Sequence, residues 1–113
     1  MNLELPLALL LDDNLMSSSR IAAALQQMNY RVLVASKLPE TADVPQLIIL
    51  QLGSRRLDGI ALIAPFKEKF PDARLVGFCG HREIEIRRAA KAAGLGRVLT
   101  NDEALLDLAK ALR

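Results

Sequence analysis

The sequence predicts an α/β fold: one five-stranded parallel sheet with helices on both faces. Two observations carry this. Across 113 residues, short aliphatic runs alternate five times with stretches of helical periodicity, the pattern of a parallel sheet built from strand–helix–strand units. The central run, Leu47-Ile48-Ile49-Leu50-Gln51-Leu52, has a single polar member and is bounded by Pro45 and Gly53. A short run with no polar alternation reads as a strand buried on both faces.

The elements follow in order. Leu7-Ala8-Leu9-Leu10-Leu11 is a buried strand that ends at Asp12-Asp13-Asn14. The apolar stretch it belongs to is too short to cross a bilayer, and it runs straight into two aspartates, so it is neither a signal peptide nor a membrane span. A helix is predicted over residues 15–28, where Ile21, Leu25 and Met28 share one face. Asn14 or one of Ser17, Ser18 and Ser19 can cap its start, and Asn29 suits the left-handed position just past its end. Residues 30–35 form the second strand; Val32 and Val34 alternate with Arg31 and Leu33, as on an edge strand with one more exposed face.

Residues 36–45 carry Pro39 and Pro45 and leave room for two helical turns at most, so the second helix is abbreviated. After the central strand and the loop 53–59, Ile60, Ile63, Phe66 and Phe70 mark another helix. Pro65 lies inside it; an interior proline costs about 3 kcal/mol, which predicts a kink or a break into two pieces. Residues 73–79 are the fourth strand, and residues 83–93 a helix stopped by Gly94 and Gly96. Val98 and Leu99 form a short fifth strand. Thr100, three residues before Glu103, is a capping box for one last helix reaching Leu112.

Composition bounds the function. Half of the residues are hydrophobic and a quarter charged, the balance of an ordinary globular protein, read here as a single domain over residues 1–113. The lone Cys79 excludes an intrachain disulfide and a multi-cysteine zinc site, and is compatible with the cytoplasm. A formal net charge of +2 gives no nucleic-acid signature.

Right-handed crossovers leave few topologies, and the flavodoxin-like strand order 2-1-3-4-5 places the first and third strands side by side at the switch point. Asp12-Asp13 and Gln51 then face one crevice at the strand ends. With those elements in place the chain resembles the receiver domain of two-component response regulators (CheY-like). The matching pieces are Asp12-Asp13 after the first strand, the Asn29-Tyr30 turn, and the strand ending at Gln51. Asp58-Gly59 seven residues on, and the tract from Cys79-Gly80-His81-Arg82-Glu83 to Gly94, also match.

The resemblance implies a phosphate-accepting aspartate, an acidic pair for Mg²⁺, a hydroxyl residue, a lysine and an aromatic switch residue. Carried over, the acceptor falls on Gln51, the hydroxyl on Cys79, the lysine on Asn101 and the aromatic on Val98; only Asp12 and Asp13 are kept. A neutral amide is a very poor nucleophile, Mg²⁺ loses a ligand and its bridging phosphate, Asn101 carries no charge, a thiol is a weak donor, and Val98 has no ring to move. The resemblance therefore implies a degenerate receiver, a pseudo-receiver whose phosphorylation site is vestigial. No catalytic residue, metal or cofactor is expected; Asp12 and Asp13 are at most weak metal candidates. The Gln51 and Asn101 amides are expected to bond the two aspartates in place of the metal.

Cys79, two residues from His81 and just before a helix, could be redox-active, but a small buried residue is the expected role. His81 has no ligand partner nearby in sequence. Arg55 and Arg56 stand beside the crevice and either attract an anion or are solvated. Arg82, Arg87, Arg88 and Lys91 decorate the helix of residues 83–93, and Asp102, Glu103 and Asp107 the last. In receivers these two helices and the strand between them form the usual partner surface. Complementary signs suit a two-fold homodimer; an alternating-charge, solvated surface is the other reading.

The expected function is a signalling module that acts through protein–protein contact and is not an enzyme. A small-anion or nucleotide-binding regulatory domain using the acidic crevice is the alternative, although no glycine-rich phosphate loop follows the first strand.

Overall fold

In the computed structural model, which describes residues 5–40, 43–54 and 56–113, the elements run β1 (Leu7–Leu11), α1 (Leu15–Gln27), β2 (Arg31–Ala35), β3 (Leu47–Gln51) and α2 (Gly59–Lys69). They continue with β4 (Arg74–Cys79), α3 (Ile84–Ala92), β5 (Arg97–Thr100), α4 (Asn101–Leu106) and α5 (Leu108–Ala111). All strand pairs are parallel, in the order β2-β1-β3-β4-β5. β2 and β3 thus flank β1 on opposite sides, and the switch point lies between the ends of β1 and β3, where Leu11 is in register with Leu50.

The unbroken aliphatic runs become the middle of the sheet. Every residue of β1 is buried, as are the first four of β3 and the last four of β4. Alternate residues feed two cores. Leu9, Leu11, Ile48, Leu50 and Cys79 meet Ile63, Phe66 and Ala90 on the α2–α3 side. Ala8, Leu10, Ile49, Val76, Phe78 and Leu99 meet Ile21, Leu25, Ala104 and Leu108 on the α1–α4–α5 side. Fully burying one such aliphatic side chain contributes about 1.5–3 kcal/mol, so the double-sided strands dominate stability. Among the described residues, no helix is long and apolar enough to cross a membrane.

The local signals act as their chemistry requires. The Asn14 side chain accepts from Met16 N and Ser17 N, Asn29 takes a left-handed φ of 68°, and Thr100 and Glu103 close a reciprocal capping box. Three expectations need correction. Of the kink or break expected at Pro65, the break does not occur: helix α2 runs through it in one piece. Its inward face, Ile63 and Phe66, is sealed in the core, and that burial offsets one missing ladder hydrogen bond. The last helix is two pieces instead, divided at Asp107, whose φ of −154° is not helical. Aspartate is a poor interior helix residue. The second piece is held by Arg74 and Arg97, which donate to the otherwise unsatisfied carbonyls of Leu112 and Ala111. In the β2–β3 crossover, no helix is found among the described residues of 36–46, and positions 41 and 42 lie outside them. Leu33 and Val34, on opposite faces of β2, are accordingly both exposed.

Candidate functional site

The crevice at the carboxyl ends of β1, β3 and β4 gathers Asp12, Asp13, Gln51, Gly53, Ser54, Gly80 and Glu83. Asp12 follows β1 directly, and its N–H continues the ladder to the Ala35 carbonyl at 3.1 Å. This fixes the carboxylate in a place where only 4 % of the residue is exposed. A buried carboxylate must be hydrogen-bonded. Asp12 Oδ1 accepts from Asn14 N at 3.0 Å and from Gln51 Nε2 at 3.4 Å, and Oδ2 accepts from Ser17 Oγ. No buried side-chain nitrogen or oxygen among the described residues lacks a partner.

Asp13 is exposed and turns the other way. Its Oδ2 accepts from Ser54 Oγ at 2.6 Å, and Ser54 Oγ itself accepts from Arg56 N and Leu57 N, each at 3.1 Å. The two aspartates are therefore engaged by different elements: Asp12 by the start of α1 and by β3, Asp13 by the β3–α2 loop. Among the described residues, no group of three or more His, Cys, Asp or Glu side chains is placed to hold a metal ion.

Gln51 ends β3 between two partners. Its Nε2 makes the long contact to Asp12, and its Oε1 accepts from Gly53 N at 2.8 Å. The expected bonding of an amide to an acidic carboxylate is thus present for Gln51. It is not present for Asn101, which opens α4 as an exposed residue and makes no side-chain hydrogen bond among the described residues. Thr100, not Asn101, is the cap there. Arg55 lies outside the described residues; Arg56 is exposed.

Cys79 is fully buried in the α2–α3 core. Burial pushes its thiol above the ordinary value; Arg87 opposes and Glu83 reinforces that shift. Burial and a raised pKa both disfavour the thiolate, the reactive form of a cysteine. Val98 lies half-buried against the same core, and its carbonyl accepts from Arg87 Nη1 at 3.4 Å. Arg88, Lys91, Asp102 and Asp107 are exposed, and α3 and α4 cover β5 from opposite faces of the sheet.

Sequence reasoning passed over three polar side chains as crevice residues: Ser17, Ser54 and Glu83. Ser17 stood only among candidate caps, Ser54 only in a loop and Glu83 only at a helix start. For Glu83 a signal existed, since Gly80-x-x-Glu83 has the spacing of half a capping box, and Gly80 N donates to Glu83 Oε2 at 2.8 Å.

No family model and no curated protein matches the chain. Solved structures do. A response regulator from Burkholderia pseudomallei, with a phosphorylated aspartic acid, calcium ion and citrate, superposes with a TM-score of 0.76 at 25% identity, over 95% of this chain and 70% of that one. A CheY-like receiver domain protein from Methanospirillum hungatei gives 0.80 at 17% identity, over 96% and 91%. The receiver domain of NtrX from Brucella abortus gives 0.66 at 23% identity, over 94% and 97%. By structural similarity the fold is that of the response-regulator receiver domains.

Proposed function

We propose that the chain is a non-phosphorylatable, receiver-like signalling module that acts by protein–protein contact through the face made by α3, β5 and α4. The observation that carries this is the state of Gln51. Where the similar Burkholderia protein is described with a phosphorylated aspartic acid, β3 of this chain closes in a neutral amide whose two ends are spent on Asp12 and Gly53. An amide has no free electron pair of carboxylate basicity to attack phosphorus. The position carried over for the lysine, Asn101, offers no charge to a transferred phosphoryl group, and that for the hydroxyl, Cys79, is buried.

The outer face has the chemistry that the crevice lacks. Arg87, Arg88 and Lys91 are cationic on one side of β5, and Asp102 and Asp107 anionic on the other. Among the described residues, the one ion pair made by these groups is Arg88 with Glu85, 4.0 Å apart on α3 itself. Opposite charges left unpaired within one chain suit a protein partner, including a second copy in which each patch meets the other. The crevice disfavours a nucleotide or small anion, because the Glu83 carboxylate already lies over Gly53 and Gly80 at the ends of β3 and β4.

The test is incubation with acetyl phosphate and Mg²⁺, or with BeF₃⁻ and Mg²⁺, read by intact mass and by amide chemical shifts. The expected result is no gain of a phosphoryl group and no stoichiometric shift at Gln51, Asp13 or Asn101. Phosphorylation, or saturable shifts at those residues, overturns the proposal.

A further inference from the structure

The turn from β4 to α3 runs Gly80-His81-Arg82-Glu83, closed by Glu83 N donating to the Gly80 carbonyl at 3.0 Å. Glu83 occupies the cap position of α3, yet its side chain makes no cap hydrogen bond to that helix. It turns back to the strand ends, where Oε2 accepts from Gly80 N at 2.8 Å.

The carboxylate then reaches beyond its own turn. A β-carbon added to Gly53 would lie 2.8 Å from Glu83 Oε2, 3.3 Å from Glu83 Oε1 and 3.4 Å from Gln51 Oε1. One added to Gly80 would meet the same Glu83 Oε2 at 3.4 Å. The charge thus rests over the α-carbons of two glycines that follow neighbouring strands, beside the Gln51 amide. No cation pairs with it among the described residues. Glu83 also immediately precedes α3, the helix that carries Arg87, Arg88 and Lys91.

Resting on the reading of the chain as non-phosphorylatable, we propose that Glu83 is a tethered anion that fills the crevice between the ends of β3 and β4 and fixes the Gly80–Glu83 turn and the start of α3 in one arrangement. The chain supplies its own permanent anionic ligand. Attachment by a short tether gives the carboxylate an effective concentration of about millimolar or more, so it holds the position without any free anion. The outer face is then set by a contact that no phosphoryl donor controls.

The experiment uses the full chain, as wild type, Glu83→Gln and Glu83→Ala, followed by amide exchange and chemical shifts. Glu83→Gln keeps an oxygen acceptor for Gly80 N; Glu83→Ala removes acceptor and charge together. In Glu83→Ala, Gly80 N–H exchange is expected to rise about ten-fold or more. The amide resonances of Gly53 and of residues 84–91 move with it, while those of Val32 and Val34 in β2 stay in place. Glu83→Gln retains most of the exchange protection. Acetate, which carries the missing chemistry, or inorganic phosphate then returns the displaced Glu83→Ala resonances toward their wild-type positions in a saturable manner.

Unmoved Gly53 and α3 resonances, or displacements that neither anion reverses, reduce Glu83 to a local turn contact and overturn the proposal. Because this reading comes from variants and shifts, it is distinguishable from failure of the proposed function, which is read as phosphoryl mass on the wild-type chain.

Discussion

The Gln51 amide nitrogen lies 3.4 Å from Asp12 Oδ1, across the switch point between β1 and β3, where the order of the strands reverses. Distance and burial together define the relationship: the contact is long for a hydrogen bond, but Asp12 is almost wholly enclosed. Each donor it keeps therefore offsets the cost of holding a charge away from water.

Gln51→Asp replaces that donor with a second carboxylate and removes the amide facing Asp12. The expected loss is about 1–3 kcal/mol of stability at neutral pH, the cost of an unsatisfied polar contact plus like-charge repulsion. Urea denaturation of wild type and variant at neutral pH checks this. A variant as stable as wild type at neutral pH contradicts the account of Asp12.

Gly59 and Gly53 separate two kinds of close approach. A β-carbon on Gly59 would run into the Gln51 carbonyl oxygen, which belongs to the backbone of a central strand and cannot yield. A β-carbon on Gly53 meets the far ends of two side chains, Glu83 at 2.8 Å and Gln51 at 3.4 Å; the closer, Glu83, can swing aside at the expense of its bond to Gly80. Gly59→Ala is expected to cost about 2–3 kcal/mol or more and Gly53→Ala about 1 kcal/mol. In a double-mutant cycle, Glu83→Ala should relieve most of the Gly53→Ala penalty. Additive losses would show that the two residues do not compete for the same space.

These contacts also mark how far the sequence could be read. The strand order was legible because β1, β3 and β4 are aliphatic on both faces, a pattern that needs two covering layers. Asn14, Asn29 and the Thr100–Glu103 pair were legible because capping is local chemistry at fixed spacing. Asp58-Gly59 was legible as a pair, but its reason is tertiary: Asp58 caps α2 by accepting from Ala61 N, and Gly59 lets that helix start against β3. A break in α2 was left open because the propensity cost of Pro65 is local, whereas Ile63 and Phe66, which outweigh it, owe their burial to the sheet. Ser54 bonding Asp13, and Glu83 resting over Gly53, join residues about 41 and 30 positions apart. No periodicity records such pairings.

Pro65→Ala follows from the same balance. The helix already runs through this position, so the substitution restores a ladder donor and removes the ring without changing the buried face. A gain of about 1–3 kcal/mol is expected, measured as a higher denaturation midpoint with an unchanged dependence on denaturant. A loss of stability would mean that the proline ring contributes packing that its partial burial conceals.

Cys79 gives a pH-dependent prediction. Its folded-state pKa is raised, chiefly by burial, so the neutral thiol is the form the fold favours. The associated stability is fully present below the ordinary thiol range and is lost as pH rises through the raised folded value. Relative to Cys79→Ala, wild type should therefore lose stability on the alkaline side and nowhere else. Iodoacetamide at mildly alkaline pH should label Cys79 only in urea. Arg87→Ala removes the influence that lowers the thiol pKa and should slow any residual native labelling. Rapid labelling of the folded chain would contradict the packing role.

Charge reversal decides what the outer face does. If the α3 and α4 patches meet across a two-fold axis, Arg88→Glu with Lys91→Glu places like charges in contact and should weaken self-association by about ten-fold or more, seen in sedimentation across a range of concentrations. Asp102→Lys with Asp107→Lys in the same chain restores opposite signs and should recover it, which a general loss of folding could not do. Wild-type association should also fall with added salt, since the paired groups are exposed and screened over about 8 Å at physiological ionic strength. A wild-type chain that stays monomeric at all concentrations excludes the homodimer. The face is then left to a partner of a different sequence, to be recovered by cross-linking from positions 88 and 102 in the native cell and lost in the same reversals.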